Sequence, residues 1–269
     1  MLRLSTISDK EKLTSLWNDV FGDTQEAINL IFEYHFKPEN VLVYDDNGKI
    51  ASMLYLLEGN LVISGVSYPS YYLYAAATDT AYRGKGIMAS MLEYAKNTAK
   101  SRGVDFICLL PAEKSLYGYY AKHGYKAVFK KKTIEFTPKN NGDSNKNKYD
   151  LSQIRKSVFA DYNRFEWESE AIEYAIKQNA FYGGGFALNN CGYYLFSSAD
   201  GVTTVREAAL TDLNSMNFSE KVVVNLPVGY PTDTDKCEIT DNGMALPTNE
   251  KAESVLDGID NLYLGLTLD

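Results

Sequence analysis

The sequence predicts an α/β chain in which a mixed central sheet is flanked by helices and followed by a second, weaker version of the same plan. Three observations carry this. The strand-like run Tyr71-Tyr72-Leu73-Tyr74-Ala75-Ala76-Ala77 leads into Tyr82-Arg83-Gly84-Lys85-Gly86-Ile87-Met88, which opens an amphipathic run with Ile87, Met91 and Ala95 at helical spacing. Phe106-Ile107-Cys108-Leu109-Leu110 follows without alternation, as in a strand buried on both faces and parallel to its neighbour. Strand 71–77, helix 87–101 and strand 105–110 thus read as a right-handed βαβ unit. Finally, the order helix, helix, strand meander begins the chain and recurs after residue 150.

The elements follow in order. Ser8 and Glu11 form a capping-box signature ahead of Leu13, Leu16, Trp17, Val20 and Phe21, with Gly22 as the stop. Asp23 or Thr24 can cap a second helix carrying Ile28, Ile31 and Phe32, which must end before Pro38; His35, near that end, reads as a surface residue. Val41-Leu42-Val43-Tyr44, a turn at Asp46-Asn47-Gly48 and the run 50–57 make a hairpin, with further strands at 61–63 and 67–77 around Gly65. Past the βαβ unit, 116–122 makes a short helix that Gly124 ends, and 126–136 is the last strand of the first half. The polar stretch 137–149 reads as a linker. Helices near 151–159 and 169–177 then precede strands at 186–188, 193–196 and 202–205. Apolar runs at 222–224, 244–246 and 262–268 complete the chain, the last as a C-terminal strand.

Composition sets the outer bounds. The 269 residues are 45% hydrophobic and 23% charged, which suits two modest globular domains. No apolar run approaches the ~20 residues of a membrane span, and Met1-Leu2-Arg3-Leu4-Ser5-Thr6 lacks the core of a secretory leader, so a soluble, cytoplasmic protein without a membrane partner is expected. Three widely spaced cysteines, Cys108, Cys191 and Cys237, argue for a reducing compartment. With only His35 and His123 as histidines, no cluster has metal-ligand spacing, and no metal is expected. A net charge of −8 argues against a nucleic-acid partner and would attract a cationic one.

The chemistry begins at the glycines. A helix N-terminus carries unsatisfied N–H groups and the positive end of a dipole, so it attracts anions. Gly84 and Gly86 let the backbone approach a phosphate without Cβ atoms in the way, and Arg83 and Lys85 add positive charge. This reads as a pyrophosphate cradle, although a tight strand-to-helix turn with two solvated cations has the same sequence. There is no Gly-x-x-x-x-Gly-Lys-Ser/Thr, and no third glycine for the dinucleotide fingerprint.

Arg83-Gly84-Lys85-Gly86-Ile87-Met88 after a strand, then a helix, a buried strand, and Tyr120 followed by Gly124-Tyr125 resembles the GCN5-related N-acetyltransferase (GNAT) superfamily over residues 1–136. The family pattern Gln/Arg-x-x-Gly-x-Gly/Ala is met at Gly84 and Gly86 and departs at Ala81. The two-part layout is similar to acetyltransferases of the enhanced-intracellular-survival type. It implies a catalytic domain over 1–136, the linker over 137–149 and a degenerate GNAT-like domain over 150–269.

The resemblance implies an acetyl-coenzyme A-dependent N-acetyltransferase. It would act by direct transfer in a ternary complex onto a primary amine of a small molecule or peptide. The pantetheine arm would pair with the strand end Ala76-Ala77-Thr78, a backbone N–H near Ala77 facing the developing oxyanion. The pyrophosphate would sit on Arg83, Gly84, Lys85, Gly86, Ile87 and Met88, with Leu116 and Tyr117 packed on the pantetheine. Tyr120 would protonate the departing thiolate, which a phenol of pKa ~10 can do at neutral pH. The carboxylate of Asp269 would reach the active site. Glu58, Tyr74 and Glu113 are candidates to take the amine's proton through water, each equally readable as structural. Cys108, in its apolar run, reads as an inert thiol. A non-catalytic coenzyme A-binding sensor or scaffold is the alternative. Exposed sheet edges in both halves would allow a homo-oligomer.

Overall fold

A computed structural model describes residues 1–139, 150–232 and 236–268; most of the expected linker, 140–149, lies outside them. In chain order the elements are β1 (Leu2–Leu4), α1 (Lys10–Phe21), α2 (Gln25–His35), β2 (Val41–Asp46), β3 (Lys49–Ile63), β4 (Val66–Thr78), α3 (Ile87–Ser101), β5 (Phe106–Leu109), α4 (Lys114–Ala121), β6 (Lys126–Ala127) and β7 (Lys130–Phe136). There follow α5 (Leu151–Val158), β8 (Arg164–Trp167), α6 (Ser169–Phe181), β9 (Gly185–Asn189), β10 (Gly192–Ala199), β11 (Val202–Leu210), β12 (Val222–Leu226), β13 (Cys237–Asp241), β14 (Met244–Pro247) and α7 (Glu250–Leu256). One sheet has the order β1-β2-β3-β4-β5-β14-β6, with β8 also paired to β3; the other has the order β13-β7-β12-β11-β10-β9. Among the described residues no helix is long and apolar enough to cross a membrane.

The chain forms two compact units. The first comprises Met1–Asn60, Tyr68–Lys126 and Met244–Asp257. The second comprises Leu61–Ser67, Ala127–Gly243 and the chain from Gly258.

In the first unit, sheet alternation sends Leu54, Leu56, Tyr71 and Leu73 to one face, where they pack with Ile87, Met91, Leu92, Ala95 and Ala99 of α3. Tyr55 and Tyr74, one residue out of phase, meet Trp17 of α1, with ring centroids 5.5 and 5.9 Å away. The α1 helix buries Leu13, Leu16 and Trp17 and ends as expected at Gly22, whose φ is +73°. The N-terminal box is made by Thr6 and Asp9, two residues earlier than Ser8 and Glu11 predict. Asp9 accepts from the Thr6 N–H at 2.8 Å and is gripped by Arg3 at 2.7 Å, so that carboxylate is already committed to this end. Thr24 caps α2 through the Ala27 N–H. His35 is buried rather than on the surface, and burial pushes its pKa down to about 4, with Lys37 adding a smaller push.

Several strands differ from the sequence reading. The β3 strand runs straight through Glu58-Gly59-Asn60, joining the runs 50–57 and 61–63 that the sequence reads as separate strands. The run 126–136 breaks at Val128-Phe129. Its second part, β7, pairs with β12 and β13 of the other sheet instead of closing the first half. Conversely, Met244-Ala245-Leu246-Pro247 enters the first sheet beside β5, with Met244 opposite Leu109 and Leu246 opposite Ile107. All four residues of β5 are buried, so both of its edges need partners; β4 serves one and β14 the other.

In the second unit a buried ion cluster holds the run 262–268. Glu207, fully buried, accepts from Arg155 Nε at 3.2 Å, the Tyr193 hydroxyl at 2.7 Å and the Leu266 N–H at 2.8 Å. Arg155 also donates to the carbonyls of Phe165 and Leu264. The run is therefore no strand: it makes single bridges, Phe129 with Leu262 and Arg164 with Tyr263, and is tied down by side chains. Gly265 is obligatory there, because its φ is +68° and an added Cβ would come within 2.3 Å of Glu207 Oε2.

Candidate active site

The site is built where β4 parts from β5. Their parallel pairing covers Ser70 with Phe106, Tyr71 with Ile107 and Tyr72 with Cys108, yet β4 continues to Thr78. Within that overhang Ala75 has a φ of +51°, a left-handed conformation rare for alanine that breaks the strand's alternation. Beyond it Ala76 and Thr78 are half-buried and Ala77 is buried. Ser52 of β3 donates to the Ala77 carbonyl at 2.7 Å, and its hydroxyl lies 2.9 Å from that of Thr78. The Asp79 N–H donates to the Ala51 carbonyl at 2.9 Å. The strand end is thus pinned on the β3 side.

A short 3₁₀ turn, Thr80–Tyr82, then delivers the chain to Arg83-Gly84-Lys85-Gly86, all exposed, and to α3. Gly84 and Gly86 both have φ +75°, and Gly86 is the N-cap of α3 with no side-chain cap. A Cβ at either glycine would meet nothing within 4 Å, so these glycines are set by backbone conformation and face open space. The first backbone bond into the helix runs from the Ser90 N–H to the Gly86 carbonyl. The N–H groups from Gly84 to Ala89 find no partner among the described residues. Such a row is what an anion requires.

The cations around the row are arranged. Arg83 turns back, its Nε donating to the Thr78 carbonyl at 3.0 Å. Lys85 and Lys49 both lie over the Tyr82 ring, at 4.9 and 5.3 Å. Tyr82 is fixed by donating to Asp46 at 2.7 Å, and Lys49 pairs with Asp79 at 2.7 Å. Ala81, where the family pattern departs, contributes only an N–H bonded to Asp79. The sequence reading missed Ser52, Lys49, Tyr82 and Asp46. The Asp46-Asn47-Gly48 turn was legible, but nothing local says that its hairpin reaches the glycine turn.

Tyr120 lies on α4, 8% exposed, in one apolar cluster with Ile87, Met91, Leu109 and Tyr125. Ala76, Met88, Leu116 and Tyr117 pack against the same cluster, so with Ile87 five of the eleven expected cofactor residues come together there. The Tyr120 hydroxyl makes no hydrogen bond among the described residues. Burial, then the neighbouring Tyr119, push its pKa up to about 12. Cys108 is fully buried and its thiol pKa is raised by that burial, as expected of an inert thiol. Of the candidate bases, Glu58 is paired with Lys37 at 2.7 Å, which lowers its pKa and makes it a poorer base. Glu113 precedes α4 and accepts from Ser115; Tyr74 packs on Trp17 and Tyr72. His123 stacks edge-on against Tyr119 at 4.9 Å. Asp269 lies outside the described residues.

Residues 1–128 match the family model of the acetyltransferase (GNAT) domain. This part of the chain is a GNAT domain. No curated protein matches the sequence. Solved structures share the fold at low identity. A GCN5-related N-acetyltransferase from Anabaena variabilis gives a TM-score of 0.74 at 14% identity over 93% of this chain and 73% of its own. A conserved protein of unknown function from Enterococcus faecalis V583 gives 0.72 at 14% over 94% and 73%. Eis1 from Mycobacterium abscessus gives 0.65 at 10% over 94% and 75%. The glycine turn, the parted strands and Tyr120 all fall inside the matched GNAT domain.

Proposed function

We propose that the chain is an N-acetyltransferase that moves an acetyl group from acetyl-coenzyme A to a primary amine, directly, in a ternary complex. The observation that carries this reading is the row of unbonded N–H groups from Gly84 to Ala89, opened toward free space by two left-handed glycines. Those groups would hold the pyrophosphate, with Lys85 beside them. The pantetheine arm would lie in the gap between β4 and β5, along Ala76-Ala77-Thr78 and against Leu116 and Tyr117. An acetyl thioester needs little activation; it needs an oriented amine and a stabilised leaving group.

Tyr120 supplies the second. Its phenol holds its proton at neutral pH and has no competing partner among the described residues, so it donates to sulfur as the carbon–sulfur bond breaks. The apolar surroundings that disfavour a phenolate also disfavour a free thiolate, so the proton moves between two groups raised by the same cause. A backbone N–H near Ala77 would face the carbonyl oxygen. The net charge of −8 supports a cationic amine as acceptor, and the free cysteines support a reducing compartment such as the cytoplasm.

Calorimetric titration with acetyl-coenzyme A, wild type against Gly86→Glu, tests the reading. Micromolar binding by the wild type, abolished in the variant, is expected, because the new side chain enters the open space and sets a negative charge against the pyrophosphate. Absence of binding by the wild type would overturn the assignment. Where binding is seen, a screen of primary amines by thiol release identifies the acceptor.

A further inference from the structure

Tyr125 follows the glycine that ends α4 and is buried to 3% exposure. Its hydroxyl is buried with no hydrogen-bond partner among the described residues. Leaving such a group unpaired costs free energy, and a phenylalanine would fill the same volume without that cost. The ring stands edge-on to Tyr120, with centroids 5.6 Å apart, and the Tyr125 N–H is bonded to the Tyr120 carbonyl. The two phenols are therefore held together by backbone as well as by packing. The Tyr120 hydroxyl, too, makes no hydrogen bond among the described residues. Both sit in the cluster that contains Ile87, beside the first turn of α3.

We propose that Tyr125 is a positioning residue whose O–H donates a hydrogen bond to the Tyr120 oxygen as that oxygen gives its proton to the departing sulfur. This rests on the acetyltransferase reading. The proton balance is simple. The carbon–sulfur electron pair goes to sulfur, the Tyr120 O–H breaks as S–H forms, and Tyr125 keeps its own proton. The charge left on the Tyr120 oxygen is quenched when the proton lost by the amine returns through water. A partner that is idle in the resting enzyme and engaged only when charge develops lowers the barrier without tightening ground-state binding. Burial raises the cost of a Tyr120 phenolate, which is the cost that this donor offsets.

The test is a double-variant cycle on thiol release from acetyl-coenzyme A, using the amine found in the screen, with cofactor affinity and melting temperature read for every protein. Tyr125→Phe should lower kcat about tenfold to a hundredfold, the range of a charge-assisted hydrogen bond. It should leave the affinity for acetyl-coenzyme A unchanged and the melting temperature no lower than wild type. In a Tyr120→Phe background the same change should do nothing further. An equal loss in both backgrounds, or unchanged kcat in Tyr125→Phe, would overturn the proposal. Full turnover by Tyr120→Phe alone would overturn the general-acid reading beneath it, a result distinguishable from the other two.

Discussion

A phenol held at a pKa of about 12 keeps its proton over the whole range in which the protein is worked with, so Tyr120 sets no alkaline limb. In the proposed reaction the protonated form is the working form, so its contribution would be present below that value and lost only above it. The acceptor amine must be neutral, so kcat/KM should rise with pH and then level, without a descending limb below about pH 10; Tyr120→Phe should lower the plateau and leave the shape. A fall at pH 8 to 9 would point to a different acid. His35 gives a separate signal in stability. Its pKa is pushed down to about 4 from an ordinary 6.5, so the folded state binds fewer protons than the unfolded chain between those values. The stabilisation is complete above 6.5 and is lost as pH falls toward 4, about 2 kcal/mol of it by pH 5. Urea unfolding at pH 7 and pH 5 measures this, and His35→Gln should flatten the difference. Cys108, by contrast, should resist thiol reagents until the protein unfolds, while exposed Cys237 labels at once.

Among the elements, the glycine turn was the most legible part of the site, and the reason is local. A left-handed N-cap followed by an amphipathic run needs only neighbouring residues to be recognised. The bend in β4 was not legible, because Ala75 adopts a conformation that its side chain does not advertise. The strand β8 was also missed. Its sequence Arg164-Phe165-Glu166-Trp167 alternates charge with aromatic, yet all four residues are buried, because Arg164 pairs with Glu166 at 2.6 Å. The edge strand β13 is mostly exposed and offers no alternation to read. At the turn, Gly86→Ala meets no atom within 4 Å, so its cost is conformational, about 1–2 kcal/mol for a left-handed alanine. Denaturant unfolding should show that loss. The affinity for acetyl-coenzyme A should fall as well, since the added methyl points into the space assigned to the pyrophosphate.

At the scale of the whole molecule, the chain order and the spatial order part company. The repeat of helix, helix and meander was visible in the sequence, as was the apolar character of Met244-Ala245-Leu246. Its destination was not: a short apolar run fits any inner strand, and only the open edge of β5 selects this one. Residues 1–136 expressed alone would lack β14 and α7 and expose that edge together with the apolar surface under Met244 and Leu246. They should be insoluble or fail to show cooperative unfolding by circular dichroism; a well-folded fragment would contradict the strand order. The second unit depends comparably on its own cluster. Glu207→Gln removes the charge that faces buried Arg155 and should cost about 3–5 kcal/mol in denaturant unfolding.

The insertion of β14 also governs when the GNAT domain can be finished. Roughly 120 residues separate Lys126 from Met244. At about 5–20 residues per second, a ribosome needs on the order of ten seconds to synthesise them. Through that interval the nascent domain waits with β5 uncovered, the kind of edge that chaperones hold. A polypeptide released before Met244, by a stalled ribosome or a premature stop, never receives β14, so the cell completes this domain only in chains translated past that strand.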